Sequence, residues 1–360
     1  MPDVLLFGAT GYTGSLTAEA LGRRGASFAV AGRNADKLEA LAARTGASDA
    51  RIAEVGDVGA LTNALSDVKV LITCVGPFEQ LGDTAAEAAI RAGVHYVDST
   101  GEMAFIDRLL STFDRRARDA GIVMAPAMGF DEVPADVAVS LATEGMAKAD
   151  LVLTYAAPAD ASTGTMRTIL SNIATRDARW LRDGAPVTVR SASRSRWAPM
   201  PHPLGPKLGV PFPFAESVLA PMHLDLNSFE VYGVVSRVQA SAMRYSMPVV
   251  QKTLKLSPVQ SLIGKVLDRR DPGPNETKRN AGTWTLLAEA RSGDSWRNVA
   301  LTGTDVYGLT AETLAAGALK LAQDGHDDGG VKTPVQAMGL DMLQKELIDF
   351  GVDLRVYEPV

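Results

Sequence analysis

Phe7-Gly8-Ala9-Thr10-Gly11-Tyr12-Thr13-Gly14 (FGATGYTG) stands almost at the start of the chain, directly after the apolar run Val4–Leu6. Its three glycines are spaced G-x-x-G-x-x-G. What such a loop does depends on what flanks it, and only a strand before it and a helix after it make it more than a turn. Val4 to Gly8 reads as a short buried strand, and Thr13 to Arg24 reads as a helix with Leu16, Ala20 and Leu21 on one side.

The same alternation continues outward. Strands are expected in SFAVAGR (27–33), ARIAEVGD (50–57), VKVLITCVGP (68–77), VHYVDST (94–100) and GIVMAPAMG (121–129). Between them, helices are expected over 35–46 (capped by Gly46), 58–67, 83–92 and 103–120. Apolar strands alternating strictly with helices belong to a parallel sheet covered on both faces. Right-handed crossovers then give an α/β fold, a Rossmann-type doubly wound parallel sheet, with its ligand at the carboxyl ends of the strands.

In that setting Gly8 allows the tight turn and Gly11 the approach of backbone to a pyrophosphate. Gly14 allows the helix to pack closely on the strand, with its free N–H groups toward the phosphates. An NAD site would place an acidic residue after the second strand, whereas here the strand ends in Gly32-Arg33-Asn34, with Lys37 one helical turn on. Arginine and lysine there suit a 2′-phosphate, so NADP(H) is the expected cofactor; the alternative is a solvated arginine. Asp57 is placed near the adenine. Backbone at Cys74, Val75, Gly76 and Pro77 is placed near the cofactor ribose, with Cys74 a small core residue rather than a nucleophile.

GATGYTG, AGRN, CVGPF, YVDSTGE and GFDEVPAD occur in this order over Val4 to Asp136. In these motifs the chain resembles the saccharopine dehydrogenase-like oxidoreductases, a group that includes bacterial trans-acting enoyl reductases. The resemblance returns weakly in GGVKTPVQAMGLDML (329–343). It implies NADP binding by Gly8, Thr10, Gly11, Tyr12, Thr13, Gly14 and Arg33, with Val75, Gly76 and Pro77 lining the nicotinamide side.

After Asp136 the alternation stops. A strand is expected at 150–158, a helix at 164–182 and a strand-like run at 185–197. Residues 198–222 are so rich in proline that a long irregular segment is expected. A strand at 228–239, helices at 242–254 and 258–269, a polar loop at 271–280, a hairpin turning at 292–294 and a helix at 310–323 follow. The domains read as 1–135, an NADP-binding Rossmann domain; 136–329, an inserted α+β substrate or dimerisation domain; and 330–360, a segment packing back on the first. A substrate site is expected between the domains.

The 360 residues carry a net charge of −6, which argues against a nucleic-acid partner. One cysteine excludes a disulfide framework and, with no signal peptide, suits the cytoplasm. No stretch approaches about 18 consecutive apolar residues. Histidines at 95, 202, 223 and 326 show no metal-ligand spacing, so no metal is expected. No Tyr-x-x-x-Lys pair supplies a ready proton donor.

Proton-donor candidates are Asp131 and Glu102, at strand ends facing the nicotinamide, with Tyr155 and Tyr232 behind them. A helix cap or loop carboxylate is the default reading of each. Arg190, Arg194 and Arg196 share a face if their strand is regular, and would then clamp substrate carboxylates or phosphates; a solvated edge strand is the alternative. The expected partner is a small molecule, apolar or carrier-linked, with a homodimer left open. For 198–222 a surface loop is the default, with a substrate entrance or a membrane contact as alternatives.

The leading reading is an NADPH-dependent reductase of an apolar or polyketide-like substrate, acting on a carbon–carbon double bond. One alternative is a saccharopine-type imine or secondary-amine oxidoreductase, which needs the arginine face. The other is a non-catalytic NADP-sensing regulator.

Overall fold

Val4–Phe7 (β1) is buried along its whole length, as four successive apolar residues require when a strand has neighbours on both edges and cover on both faces. The computed structural model describes residues 1–157, 162–175, 177–269, 271, 273–323, 325 and 328–359. They form two units, Met1–Val133 with Val306–Glu346, and Pro134–Asp305 with Leu347–Val360.

The chain begins with β1, α1 (Tyr12–Arg23), β2 (Phe28–Gly32), α2 (Ala35–Thr45), β3 (Ala50–Ile52), α3 (Val58–Ala64), β4 (Val70–Thr73), α4 (Phe78–Ala92) and β5 (His95–Asp98). Then come α5 (Met103–Arg108), a π-helical turn at Leu109–Phe113, α6 (Asp114–Asp119) and β6 (Val123–Ala125). The second unit supplies α7 (Val133–Thr143), β7 (Ala149–Ala156), α8 (Thr163–Thr175), β8 (Ala178–Arg182), β9 (Ala185–Val189), β10 (Arg196–Ala198), β11 (Lys207–Pro211) and α9 (Glu216–Leu219). It continues through β12 (Leu226–Val235), α10 (Arg237–Leu254), α11 (Ser257–Asp268), α12 (Glu276–Ala281), β13 (Trp284–Ser292) and β14 (Ser295–Gly303). Finally come α13 (Val306–Leu321), β15 (Gly330–Val331), α14 (Pro334–Met338), α15 (Leu340–Asp349) and β16 (Asp353–Tyr357).

The first unit is the doubly wound sheet expected. Its strand order is β15-β6-β5-β4-β1-β2-β3, with every pair parallel. Local chemistry sets the helix ends. Asn34 caps α2 through Lys37 N, Asp57 caps α3 through Ala60 N, and Gly46 and Gly93 close α2 and α4 in the left-handed conformation. On one side of the sheet Leu5, Phe7, Leu71, Tyr96 and Met124 pack with Phe78, Phe105 and Phe113.

The second unit holds a mixed nine-stranded sheet, β10-β11-β12-β7-β13-β14-β16, with β8 and β9 hung on β12; only β12 and β7 run parallel. Here several expectations change. The helix expected to reach Arg182 ends at Thr175, and its last residues become β8 because Ala178 and Trp180 are buried on one strand face. The polar loop at 271–280 contains α12, capped by Asn275. The end expected at Pro158 for the first strand lies outside the described residues.

The proline-rich stretch 198–222 is not a surface loop. Lys207–Pro211 is an interior strand between β10 and β12, and Met200, Val210, Ala215 and Leu219 are buried. Pro211 sits at the end of β11, which spares the ladder.

Domain limits are also redrawn. The helix at 306–321, expected in the inserted domain, belongs to the first unit and packs on α1. The segment 330–360 divides: β15 pairs with β6 in the first sheet, while β16 pairs with β14 in the second.

Candidate functional site

The strand order of the first sheet reverses between β1 and β4, and at such a switch point a crevice opens beyond the carboxyl ends of the strands. The loops after these two strands touch. Gly8 has φ +79°, and a Cβ there would stand 2.7 Å from Val75 Cγ2 and 3.3 Å from the Cys74 carbonyl carbon. A Cβ on Gly14 would lie 2.3 Å from Gly8 O and 2.9 Å from Ala9 Cα, so only glycine lets α1 start this close to β1. Thr10 and Gly11 are exposed at the apex. Gly11 caps α1 without a side-chain acceptor, and no acidic residue lies in the first turn, which leaves the start of α1 open to an anion. Thr13 and Tyr12 are half-buried beside it, and the Tyr12 ring meets Tyr307 edge-on at 5.1 Å.

Arg33 stands exposed at the end of β2, and among the described residues no carboxylate pairs with it. Lys37 is exposed in the first turn of α2, while the Asn34 side chain is occupied as the cap that accepts Lys37 N at 3.0 Å. Asp57 likewise caps α3, accepting Ala60 N at 2.8 Å, so the structure gives it a local task where an adenine contact was expected.

At the end of β4, burial pushes the Cys74 thiol up to about 12, so it holds its proton and is no nucleophile. The expected proton donor Glu102 is 1% exposed and doubly engaged: Oε1 accepts Phe78 N at 2.9 Å and Oε2 accepts Glu79 N at 2.8 Å. It caps α4 from a different loop, because Pro77 at the N-cap has no side-chain acceptor to offer.

Asp131 is placed differently. It lies on the loop after β6, is reached by solvent, and its Oδ2 would stand 2.7 Å from a Cβ on Gly101 in the loop after β5. Crowding by protein pushes its carboxyl up to about 6. The loop is held from both sides. Asp98 Oδ1 accepts Ala127 N and Thr100 N, each at 2.8 Å, and its Oδ2 accepts the Tyr96 hydroxyl at 2.6 Å. From α13, Thr310 Oγ1 accepts Phe130 N at 2.9 Å, and the Thr313 hydroxyl donates to Met128 O at 2.7 Å. These threonines escaped the sequence reading, being about 180 residues away in sequence with no local signal.

The candidates in the second unit are dispersed or occupied. The expected arginine strand breaks after Val189, where Ala192 turns to φ +54°, so Arg190, Arg194 and Arg196 have no common register. Arg190 is exposed, Arg194 lies over the Trp180 ring at 5.3 Å, and Arg196 pairs bidentately with Glu289 at 2.7 and 3.0 Å. Tyr155 is buried and stacked on Phe214. Tyr232 donates its hydroxyl to Glu230 at 2.5 Å, and burial with that carboxylate raises its titration further, which makes it a poor acid. A part-buried pairing that the sequence did not reveal, His223 with Asp136 at 2.7 Å, lies in the same unit.

Among the described residues no group of three His, Cys, Asp or Glu side chains is arranged for a metal ion, and His326 lies outside them. No helix among them is long and apolar enough to cross a membrane.

A doubly wound sheet with an open glycine loop at its switch point and a free arginine after β2 defines the class, that of the NADP-binding Rossmann-type proteins. Residues 4–124 match the model of the saccharopine dehydrogenase NADP binding domain. A trans-acting enoyl reductase of Mycobacterium ulcerans (strain Agy99) is 26% identical over 97% of this chain and 96% of its own length. A lipid droplet localized protein of Caenorhabditis elegans is 33% identical, but the match spans 38% of this chain and about a third (35%) of that relative. Apo saccharopine dehydrogenase (L-Glu forming) from Saccharomyces cerevisiae shares the fold over 100% of both chains, with TM-score 0.62 and 15% identity.

Proposed function

We propose that this protein is an NADPH-dependent reductase that saturates a carbon–carbon double bond in an apolar or carrier-linked enoyl substrate. The observation that carries the choice of substrate is the state of the three arginines. An amino-acid substrate needs a carboxylate clamp, and Arg194 and Arg196 are already committed to Trp180 and Glu289 while Arg190 stands apart. The relative aligned along almost its whole length bears the name of an enoyl reductase, which supports the same reading.

The residues of the first unit fit the dinucleotide. Space that a Cβ would fill at Gly8 and Gly14 is left for backbone to approach a pyrophosphate, and the start of α1 favours its charge. Arg33, with Lys37 nearby, binds the 2′-phosphate. Val75, Gly76 and Pro77 line the nicotinamide side of the crevice. Bound NADPH supplies the hydride. Asp131, raised to about 6, is the proton donor in its protonated form, delivering its proton to the carbon adjacent to the carbonyl, and its loop is kept in place by Asp98, Thr310 and Thr313.

The test follows NADPH absorbance with a trans-2-enoyl thioester, and separately with an amino acid and a 2-oxo acid together. Consumption with the enoyl thioester, matched by saturated product, supports the proposal. Consumption with the second mixture alone replaces it by imine reduction. NADPH binding without turnover of either leaves a cofactor sensor.

A further inference from the structure

The outward faces of α10 and α11 break the usual rule for surface helices, which places apolar residues toward the core and charges toward water. In α10 the core side is taken by Ala240 and Met247, and the helix packs on α8 and β11. Opposite them, at i, i+7 and i+11, stand Val238, Tyr245 and Val249, which are 79%, 79% and 65% exposed. The following helix, α11, exposes Leu262 and Val266 one turn apart, and Leu256 is exposed in the connection.

The charge of this stretch is as unusual as its apolar stripe. Residues 231–267 contain no aspartate or glutamate, although the chain as a whole is acidic, and they carry Arg237, Arg244, Lys252, Lys255 and Lys265. All five cations are exposed, and among the described residues none pairs with a carboxylate. Arg237 lies over the half-exposed Trp197 ring at 5.0 Å, which adds an aromatic to the margin of the patch.

We propose that the α10–α11 face docks on an anionic phospholipid surface. Exposed Val, Leu and Tyr side chains enter the boundary between headgroups and acyl chains, while lysine and arginine around them meet lipid phosphates. The aromatic at the centre of the stripe, Tyr245, suits that interface because its ring is apolar and its hydroxyl polar. A second copy of this chain is the poorer occupant, because two acid-free cationic faces repel each other. The attachment is peripheral, with both helices lying along the surface, and would bring a reductase of this kind to substrates held at a membrane.

The test is flotation of the purified full chain with vesicles of phosphatidylcholine alone, and with about one third phosphatidylglycerol. Binding to the anionic vesicles at least tenfold above the neutral ones, lost in high salt, is expected. The pair Tyr245→Asp/Val249→Asp and the pair Lys252→Glu/Lys255→Glu should each lower binding roughly tenfold or more while the melting temperature and NADPH titration stay as in the parent. No binding of the parent to anionic vesicles, or equal binding by both variants, overturns the proposal. A stable dimer in light scattering that Tyr245→Asp/Val249→Asp dissolves, without vesicle binding, overturns it in favour of a second copy.

Discussion

The carboxylate of Glu102 accepts the backbone N–H of Phe78 at 2.9 Å, joining the loop after β5 to the start of α4. A negative group here meets both an unpaired donor and the positive end of a 15-residue helix. Its second oxygen holds Glu79, so the side chain that looked like a proton donor works as a cap delivered from another strand end.

Replacing Glu102 with Gln keeps the shape but turns an N–H donor toward an N–H donor. The expected loss is about 1–2 kcal/mol of stability, a few degrees in melting temperature. The rate constant at saturating substrates should change less than about threefold, since the residue donates no proton to substrate. Thermal unfolding and kcat measured on one preparation check both halves; a large fall in kcat with unchanged melting would return Glu102 to the chemistry.

Asp131 should behave in the opposite way. Its carboxyl moves from 3.8 up to about 6, so a role that requires the protonated form is available below about pH 6 and fades as pH rises through it. Asp131→Asn should lower kcat about a hundredfold and remove that inflection, with little change in melting. The pH–rate profile of both proteins checks this.

Arg33→Ala removes the free cation after β2. NADPH should bind roughly 10- to 100-fold more weakly and NADH about as before, because only the former carries the 2′-phosphate. Nicotinamide fluorescence titrations separate the two, and equal losses would place Arg33 away from the phosphate.

Gly14→Ala adds a carbon where 2.3 Å separates it from Gly8 O. Helix α1 must then move off β1, and NADPH affinity should fall at least tenfold with a loss of about 1–3 kcal/mol in stability. Gly25, whose added Cβ meets nothing within 4 Å but whose φ is +65°, offers a contrast: its alanine variant should cost stability while leaving NADPH affinity unchanged.

Much of the first unit was legible because a parallel sheet writes itself locally. Each strand is a short apolar run, each helix has its own cap or closing glycine, and the G-x-x-G-x-x-G loop needs only its neighbours to be understood. The second unit was harder to read. Ala178–Arg182 has a helix-compatible composition and becomes a strand through its partners on β9 and β12, while proline content hid the interior strand Lys207–Pro211.

The amino-acid sequence by itself determined the doubly wound sheet, the glycine loop and the basic residues after β2, since all three depend on contacts within a few tens of residues. Tertiary structure alone decided what surrounds each candidate carboxylate. Glu102 and Asp131 occupy similar strand-end loops in the sequence, but one meets two backbone donors at the start of α4, 23 and 24 residues away. The other rests against Gly101, on a loop whose backbone is held by threonines of α13. Hydrogen-bond partners that distant in sequence leave no local pattern, and it is they that make Glu102 a cap.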